Sequence, residues 1–189
     1  MKHALETERL ILRNYQKEDL QDYWELVSSP EVGPRAGWPA YTDINVAKER
    51  LETEEVHKEF QFAIVLKEEN KVIGSIEVME VHETRFDGLD IPEGSKEIGY
   101  VLNDKYWGRG IMTEALNEIT RFVFEDLNAP AIAICHAKAN IGSGKVQDKC
   151  GFKIVGVRLN YRTWIDGTVT SLIQRVMTKD EYFSMKKAR

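Results

Sequence analysis

The stretch "LNDKYWGRGIMTEAL", residues 102–116, sets a glycine on either side of an arginine directly before an amphipathic pattern. From Met112 the apolar residues Leu116, Ile119, Val123 and Leu127 recur at spacings of four, three, four and four, which gathers them on one helical face. The preceding "EIGYVL" (97–102) is β-branched and aromatic with alternating faces and reads as a strand. The unit is therefore strand, glycine turn, helix. A helix start leaves its first amide N–H groups without intrahelical partners and carries partial positive charge, so it suits a phosphate, and glycine lets an anion approach the backbone. The same turn also joins strands to helices for purely steric reasons. Two nucleotide fingerprints are excluded: G-x-x-x-x-G-K-[ST] is absent, and the G-x-G lacks the third glycine of a dinucleotide fold.

Working outward, "ERLILRNY" (8–15) predicts a strand, and Leu20, Tyr23, Trp24 and Val27 a helix of about three turns. Pro30, Gly33, Pro34, Gly37 and Pro39 interrupt the chain; Thr42 or Asp43 then caps a helix expected to end near Phe60. "FAIVLK" (62–67) and "KVIGSIEVMEV" (71–81), joined by "EEN", predict a hairpin. "HETRFDGLDIPEGS" (82–95) reads as a long loop, of the length that is often functional. After the helix 111–127 come a strand in "APAIAICHA" (129–137), a short helix at 142–150, and strands "FKIVGVRL" (152–159) and "VTSLIQRVMT" (169–178) linked by "NYRTWIDGT". These elements make one mixed α/β domain spanning 1–189, with seven strands and about four helices.

The 189 residues bury a core without staples, and 31 acidic against 26 basic residues give a net charge of −5, which argues against nucleic-acid binding through bulk charge. No apolar run approaches the roughly 20 residues of a membrane span, and "MKHALETERL" lacks the apolar core of a signal peptide, so a cytoplasmic chain without membrane partners is expected. Cys135 and Cys150 form no C-x-x-C, and His3, His57, His82 and His136 no H-x-x-x-H, so no metal is expected. Cys135, in the apolar run "AIAIC", reads as a buried small hydrophobe.

Several motifs now coincide. The chain resembles the GCN5-related N-acetyltransferase superfamily, and within it the branch of ribosomal-protein N-terminal acetyltransferases and their relatives. "LETERLILRNYQKEDL" (5–20) is similar to that branch's first strand and helix, "YWGRGIMTEAL" (106–116) to its acetyl-CoA pyrophosphate loop, and "NIGSGKVQDKCGF" (140–152) to its N-x-x-S helix ending in Gly-Phe. The likeness runs from about Leu5 to about Tyr182. It implies a central mixed, largely antiparallel seven-stranded sheet whose fourth and fifth strands splay to admit acetyl-CoA.

The resemblance also implies a site. The Q/R-x-x-G-x-G/A loop becomes Lys105, Tyr106, Trp107, Gly108, Arg109 and Gly110, with lysine departing from the usual Gln or Arg. Backbone amides from Gly108 through Ile111 to Met112, with the Thr113 hydroxyl, would hold the pyrophosphate; backbone groups of Val101 and Leu102 would hold the pantetheine arm. Transfer needs a neutral amine, a stabilised oxyanion and help for the departing thiolate. Glu97 is the candidate general base, the alternative being a solvated strand-edge glutamate. Ser143 would protonate or hydrogen-bond the thiolate and Asn140 would fix cofactor or water, though both are also good helix caps. The superfamily's frequent tyrosine acid aligns with Gln147, which cannot donate an acidic proton; Tyr106 and Tyr161 stand in reserve.

Acceptor-binding segments in this fold correspond to "PRAGWPAYTD" (34–43) and "NYRTWIDGT" (160–168), offering Trp38, Tyr41, Tyr161 and Trp164 either as a stacking wall or as ordinary loop anchors. Arg35, Arg158 and Arg162 stand beside Asp43 and Asp166, while Asp87, Asp90 and Glu93 suit a cationic acceptor. The expected partners are acetyl-CoA, with CoA as product, and an amine acceptor, either a peptide N-terminus or a small molecule, on a monomer or homodimer. A CoA-binding sensor without catalysis is the competing reading. A Ser-His-Asp hydrolase lacks its G-x-S-x-G elbow, and a phosphotransferase lacks Mg²⁺-binding carboxylates beside the glycines.

Overall fold

The computed structural model describes residues 4–53, 58–163 and 167–188. The chain forms two compact units, Met1–Glu77 with Gly99–Glu118, and Val78–Ile98 with Ile119–Arg189. In the first, strands β1 (Leu5–Glu6), β2 (Leu10–Arg13), β3 (Gln61–Leu66) and β4 (Lys71–Glu80) follow one another as antiparallel neighbours, β4 belonging to this unit as far as Glu77. Leu10 and Leu12 alternate into the core and pair with Leu66 and Ile64. The hairpin of β3 and β4 turns at Asn70, whose φ of 48° is one that asparagine tolerates.

Helices α1 (Leu20–Val27), α2 (Val32–Ala36) and α3 (Ile44–Glu52) bring Tyr23, Val27, Ala47 and Leu51 into a cluster with Tyr15, Ala63, Val65 and Val72. Gly33 is required there: a Cβ would stand 2.6 Å from the Trp38 ring. Asp43 caps α3, accepting from the Asn45 amide at 2.9 Å. The helix stops at Glu52 rather than near Phe60, because its buried face consists of Ala47 and Leu51 alone, and Thr53 leaves it in extended backbone with its hydroxyl donating to the Arg50 carbonyl. Helix α2 occupies the Pro-rich segment read as broken. Pro34 sits at its third residue, inside the first turn, where an N–H has no helical acceptor to lose.

The second unit orders its strands as β5 (Lys96–Leu102, here through Ile98), β6 (Ala131–Ala137), β8 (Val169–Thr178) and β7 (Lys153–Thr163). β5 and β6 are parallel through Lys96↔Ile132 and Glu97↔Ala133, and the other pairs are antiparallel. Ala131–Ile134 are fully buried, as a continuous apolar run in a central strand should be. The 82–95 loop holds a short helical turn, α4 (Glu83–Phe86), anchored by buried Phe86. Helix α5 (Ile111–Arg121), which belongs to the first unit as far as Glu118, continues as a π-helical turn over Phe122–Asp126, and α6 (Ile141–Lys149) and α7 (Lys179–Lys187) follow in the second. A Thr178–Glu181 capping box starts α7.

The seven anticipated strands are present, with two-residue β1 as an eighth; α2, α4 and α7 raise the helix count to seven among the described residues. β7 runs through Thr163 instead of ending at Leu159, because a bulge accommodates the intervening residues. Among the described residues no helix is long and apolar enough to cross a membrane.

Candidate active site

In the first unit the glycine turn is built from backbone and pinned by neighbours. Buried Asn103 donates its amide to the Ile73 carbonyl at 2.8 Å and accepts from the Lys105 amide at 3.1 Å, which fixes the helical turn at Asp104–Tyr106. The Trp107 indole donates to the Leu102 carbonyl at 2.9 Å. Gly108 and Gly110 take φ of 76° and 74°, a backbone that costs a side-chain-bearing residue about 1–2 kcal/mol, and a Cβ on Gly108 would meet nothing within 4 Å. The first intrahelical bond of α5 runs from Glu114 to the Gly110 carbonyl, so the amides of Ile111, Met112 and Thr113 precede it.

Arg9, which sequence reasoning passed over, fastens this turn. Its guanidinium donates to the Arg109 carbonyl at 3.0 Å and to Glu114 at 2.6 Å, and Thr7 donates to the same carboxylate. The Arg109 guanidinium lies 5.2 Å from the Tyr106 ring centroid, and Arg35 the same distance from that of Trp107. Lys105, the unusual first residue of the loop, is engaged elsewhere: its ammonium donates to Glu25 at 2.5 Å, and Lys71 donates to the other Glu25 oxygen. Those two hydrogen bonds hold the Glu25 carboxyl down at about 2. Tyr106 is pushed up to about 12 by burial and by Glu69, which accepts its hydroxyl proton. A phenol so raised stays protonated at neutral pH.

Val101 and Leu102 end β5. The Val101 carbonyl lies 2.6 Å from where a Gly74 Cβ would be, so Gly74 admits a close backbone approach. Trp38 and Tyr41 pack edge to face, centroids 6.1 Å apart, against the α1–α3 cluster.

In the second unit side chains from β5, α4, β7, β8 and β6 converge. Glu97 on β5 is 1% exposed, not solvated; one oxygen accepts from Arg85 of α4 at 2.5 Å and the other from the His82 amide at 2.9 Å. Arg85 also hydrogen-bonds the Tyr161 side chain of β7, and its carbonyl accepts from Gln174 of β8. Burial, the nearby Glu97 charge reinforcing it, pushes the Cys135 thiol up to about 12. It is therefore a thiol and not a nucleophilic thiolate at neutral pH.

Asn140 caps α6, accepting from the Ser143 amide at 3.1 Å. The Ser143 hydroxyl accepts from Gln147 at 3.3 Å. Gln147 is fully buried, its amide also reaching the Cys135 carbonyl and its oxygen lying 2.9 Å from His136 Nδ1. Burial pulls the His136 pKa down, so neutral imidazole donates from Nδ1 to Gln147 and the chain runs His136 → Gln147 → Ser143. A Cβ on Gly144 would come within 2.9 Å of His136 Nε2, which explains glycine inside that helix.

Tyr161 lines a cavity of about 400 Å³ with Thr84, Arg158, Leu159, Asn160 and Arg162. Asp87 pairs with Arg158 at 3.0 Å, so this member of the acidic loop is turned to an arginine. Trp164 and Asp166 lie outside the described residues. Among the described residues no group of three His, Cys, Asp or Glu side chains is arranged to hold a metal. Arg85, His136 and Arg9 escaped sequence reading because each acts through a partner distant in the chain, with no local pattern to announce it.

The profile of the family described as "Acetyltransferase (GNAT) domain" matches residues 9–153. An uncharacterized N-acetyltransferase, p20, of Bacillus licheniformis is 31% identical over 183 residues, covering 91% of this chain and 97% of that protein. A GCN5-related N-acetyltransferase from Brucella melitensis superposes with a TM-score of 0.79 at 17% identity, over 100% of this chain and 84% of that one. A ribosomal-protein-S5-alanine acetyltransferase from Vibrio fischeri gives 0.73 at 24% identity, over 95% and 98%.

Proposed function

This chain belongs to the GNAT acetyltransferase family and is an N-acetyltransferase, and on that premise we propose direct transfer from acetyl-CoA to a primary amine within a ternary complex. The acceptor class is an α-amine of a peptide or a small-molecule amine. The observation that carries the directness of the transfer is Cys135: with its thiol raised to about 12 by burial, it is a poor acyl carrier.

In the first unit the turn at Gly108–Gly110 and the opening amides of α5 take the pyrophosphate, with Arg9 holding the turn in shape. Lys105 is assigned to Glu25 and not to the phosphate. Val101 and Leu102 offer their backbone to the pantetheine arm, Leu102 with its carbonyl shared by Trp107. In the second unit Ser143 is assigned to the leaving sulfur. Gln147 donates to its hydroxyl oxygen, which holds that oxygen in place while the O–H proton is the group assigned to the sulfur.

The amine nitrogen attacks the thioester carbonyl carbon, a tetrahedral oxyanion forms, and the C–S bond breaks as the carbonyl returns. The nitrogen loses one proton to solvent and the sulfur gains one. A serine hydroxyl is far less acidic than a thiol, so Ser143 stabilises the thiolate by a hydrogen bond while water supplies the proton. Asn140 orders the start of α6 and thereby the Ser143 backbone. Glu97 has both oxygens already accepting, so its assigned role is to hold Arg85 and Tyr161, and the acceptor enters as the free amine.

The test is to mix the protein with acetyl-CoA alone and weigh it intact, then add amines and follow free thiol. The expected result is unmodified protein in the first step and thiol release in the second. An acetylated Cys135 would overturn the direct route.

A further inference from the structure

Resting on that transferase reading, we propose that the cavity walled by β7 is the acceptor pocket and selects amines that also carry a carboxylate. Its described walls are Thr84, Arg158, Leu159, Asn160, Tyr161 and Arg162: two guanidinium groups, a hydroxyl, a phenol and an amide, and among these no acid. A volume of about 400 Å³ suits an amino acid or the first residues of a peptide.

The strand is irregular where it forms this wall. Arg158 pairs with Leu172 and Arg162 with Thr170, so Leu159, Asn160 and Tyr161 stand opposite Ser171 alone. Asn160 takes a φ of 49° and its amide donates to the Ser171 hydroxyl at 3.2 Å, which fastens the bulge. Such an insertion re-aims side chains, and here it brings both arginines to one cavity.

Arg158 is held by Asp87 at 3.0 Å, but both partners are substantially exposed, and a pair of that kind contributes only about 0–1 kcal/mol. A substrate carboxylate can therefore take Asp87's place, with the arginine fork offering two parallel donors. A polyamine brings no anionic group to either arginine. The cavity is tied to the rest of the unit's cluster through Tyr161, which is hydrogen-bonded to Arg85 and through it linked to Glu97.

The experiment compares short peptides and small amines paired as acid and amide, with spermidine as the polyamine, using thiol release for turnover and calorimetry without acetyl-CoA for binding. The expected kcat/KM is about tenfold higher for each acid than for its amide, equivalent to about 1.4 kcal/mol. In Arg158→Ala and Arg162→Ala that ratio should fall toward one through KM of the acid. Equal acid and amide values, a preference for spermidine, or a ratio unmoved by both variants would overturn the proposal. If acetyl-CoA binds yet no amine releases thiol, the transferase reading fails instead, and the calorimetric acid-to-amide comparison still decides the pocket.

Discussion

Around Gly108 and Gly110 the functional surface is backbone: two left-handed glycines, the opening amides of a helix, and an arginine fastening the turn from outside. Around Glu97 and Ser143 it is side chain: Arg85, Tyr161, His136 and Gln147 arrive from α4, β7, β6 and α6, each hydrogen-bonded to another side chain. In the proposed reading the first arrangement takes the cofactor's pyrophosphate, a shape and charge shared across the family's reactions. In the same reading the second holds the groups assigned to the leaving sulfur and to the acceptor. A backbone surface is broken by adding atoms, and a side-chain cluster by exchanging one functional group for another of the same size.

The largest effect should come from adding atoms to the turn. Gly110→Val places a β-branched residue at a φ of 74°. It should weaken acetyl-CoA binding by about 100-fold or more through strain and blocked approach, measured by calorimetry. Ser143→Ala is the complementary exchange: kcat should fall by about 10- to 100-fold, with acetyl-CoA affinity within about twofold of wild type. Glu97→Gln keeps an oxygen for the His82 amide but removes the negative charge opposite Arg85. It should cost about 2 kcal/mol in urea unfolding and lower turnover without changing the shape of the pH–rate profile; loss of the acidic limb of that profile would make Glu97 a base after all.

The smallest effect sharpens the place of Lys105. The Glu25 carboxyl is held down to about 2 from an ordinary 4.5 by Lys105 and Lys71, so its stabilising contribution is complete above pH 4.5 and is lost as pH falls toward 2. Glu25→Gln should be about 1 kcal/mol less stable at pH 7, and the deficit should shrink across that window and vanish near pH 2. A deficit constant with pH would remove the ion pair from the account.

The contrast also explains what was legible. The α5 helix and its π-helical turn could be read because Met112, Leu116, Ile119 and Val123 are all buried on one face, and β6 because Ala131–Ile134 are all buried. The glycine turn was legible because positive φ leaves a mark in residue type. Asn140 and Ser143 were legible through a motif of fixed spacing. The Gln147 link was not: a glutamine that fails as an acid gives no sign that it joins an imidazole to a hydroxyl. The bulge in β7 reads in the sequence as a connection, since a strand with an insertion loses the period-two pattern that identifies it. The early end of α3 was missed because capping marks a start more plainly than a thin apolar stripe marks a stop.

The most direct test of the division between a backbone cradle and a side-chain cluster is one paired titration. Acetyl-CoA is titrated calorimetrically into Gly110→Val and Ser143→Ala, and each is then given an accepted amine while thiol is followed. Gly110→Val should lose binding and recover turnover as acetyl-CoA is raised, whereas Ser143→Ala should bind as wild type and stay slow at saturation. Unimpaired binding in Gly110→Val, or equal loss of binding in both variants, would contradict that division.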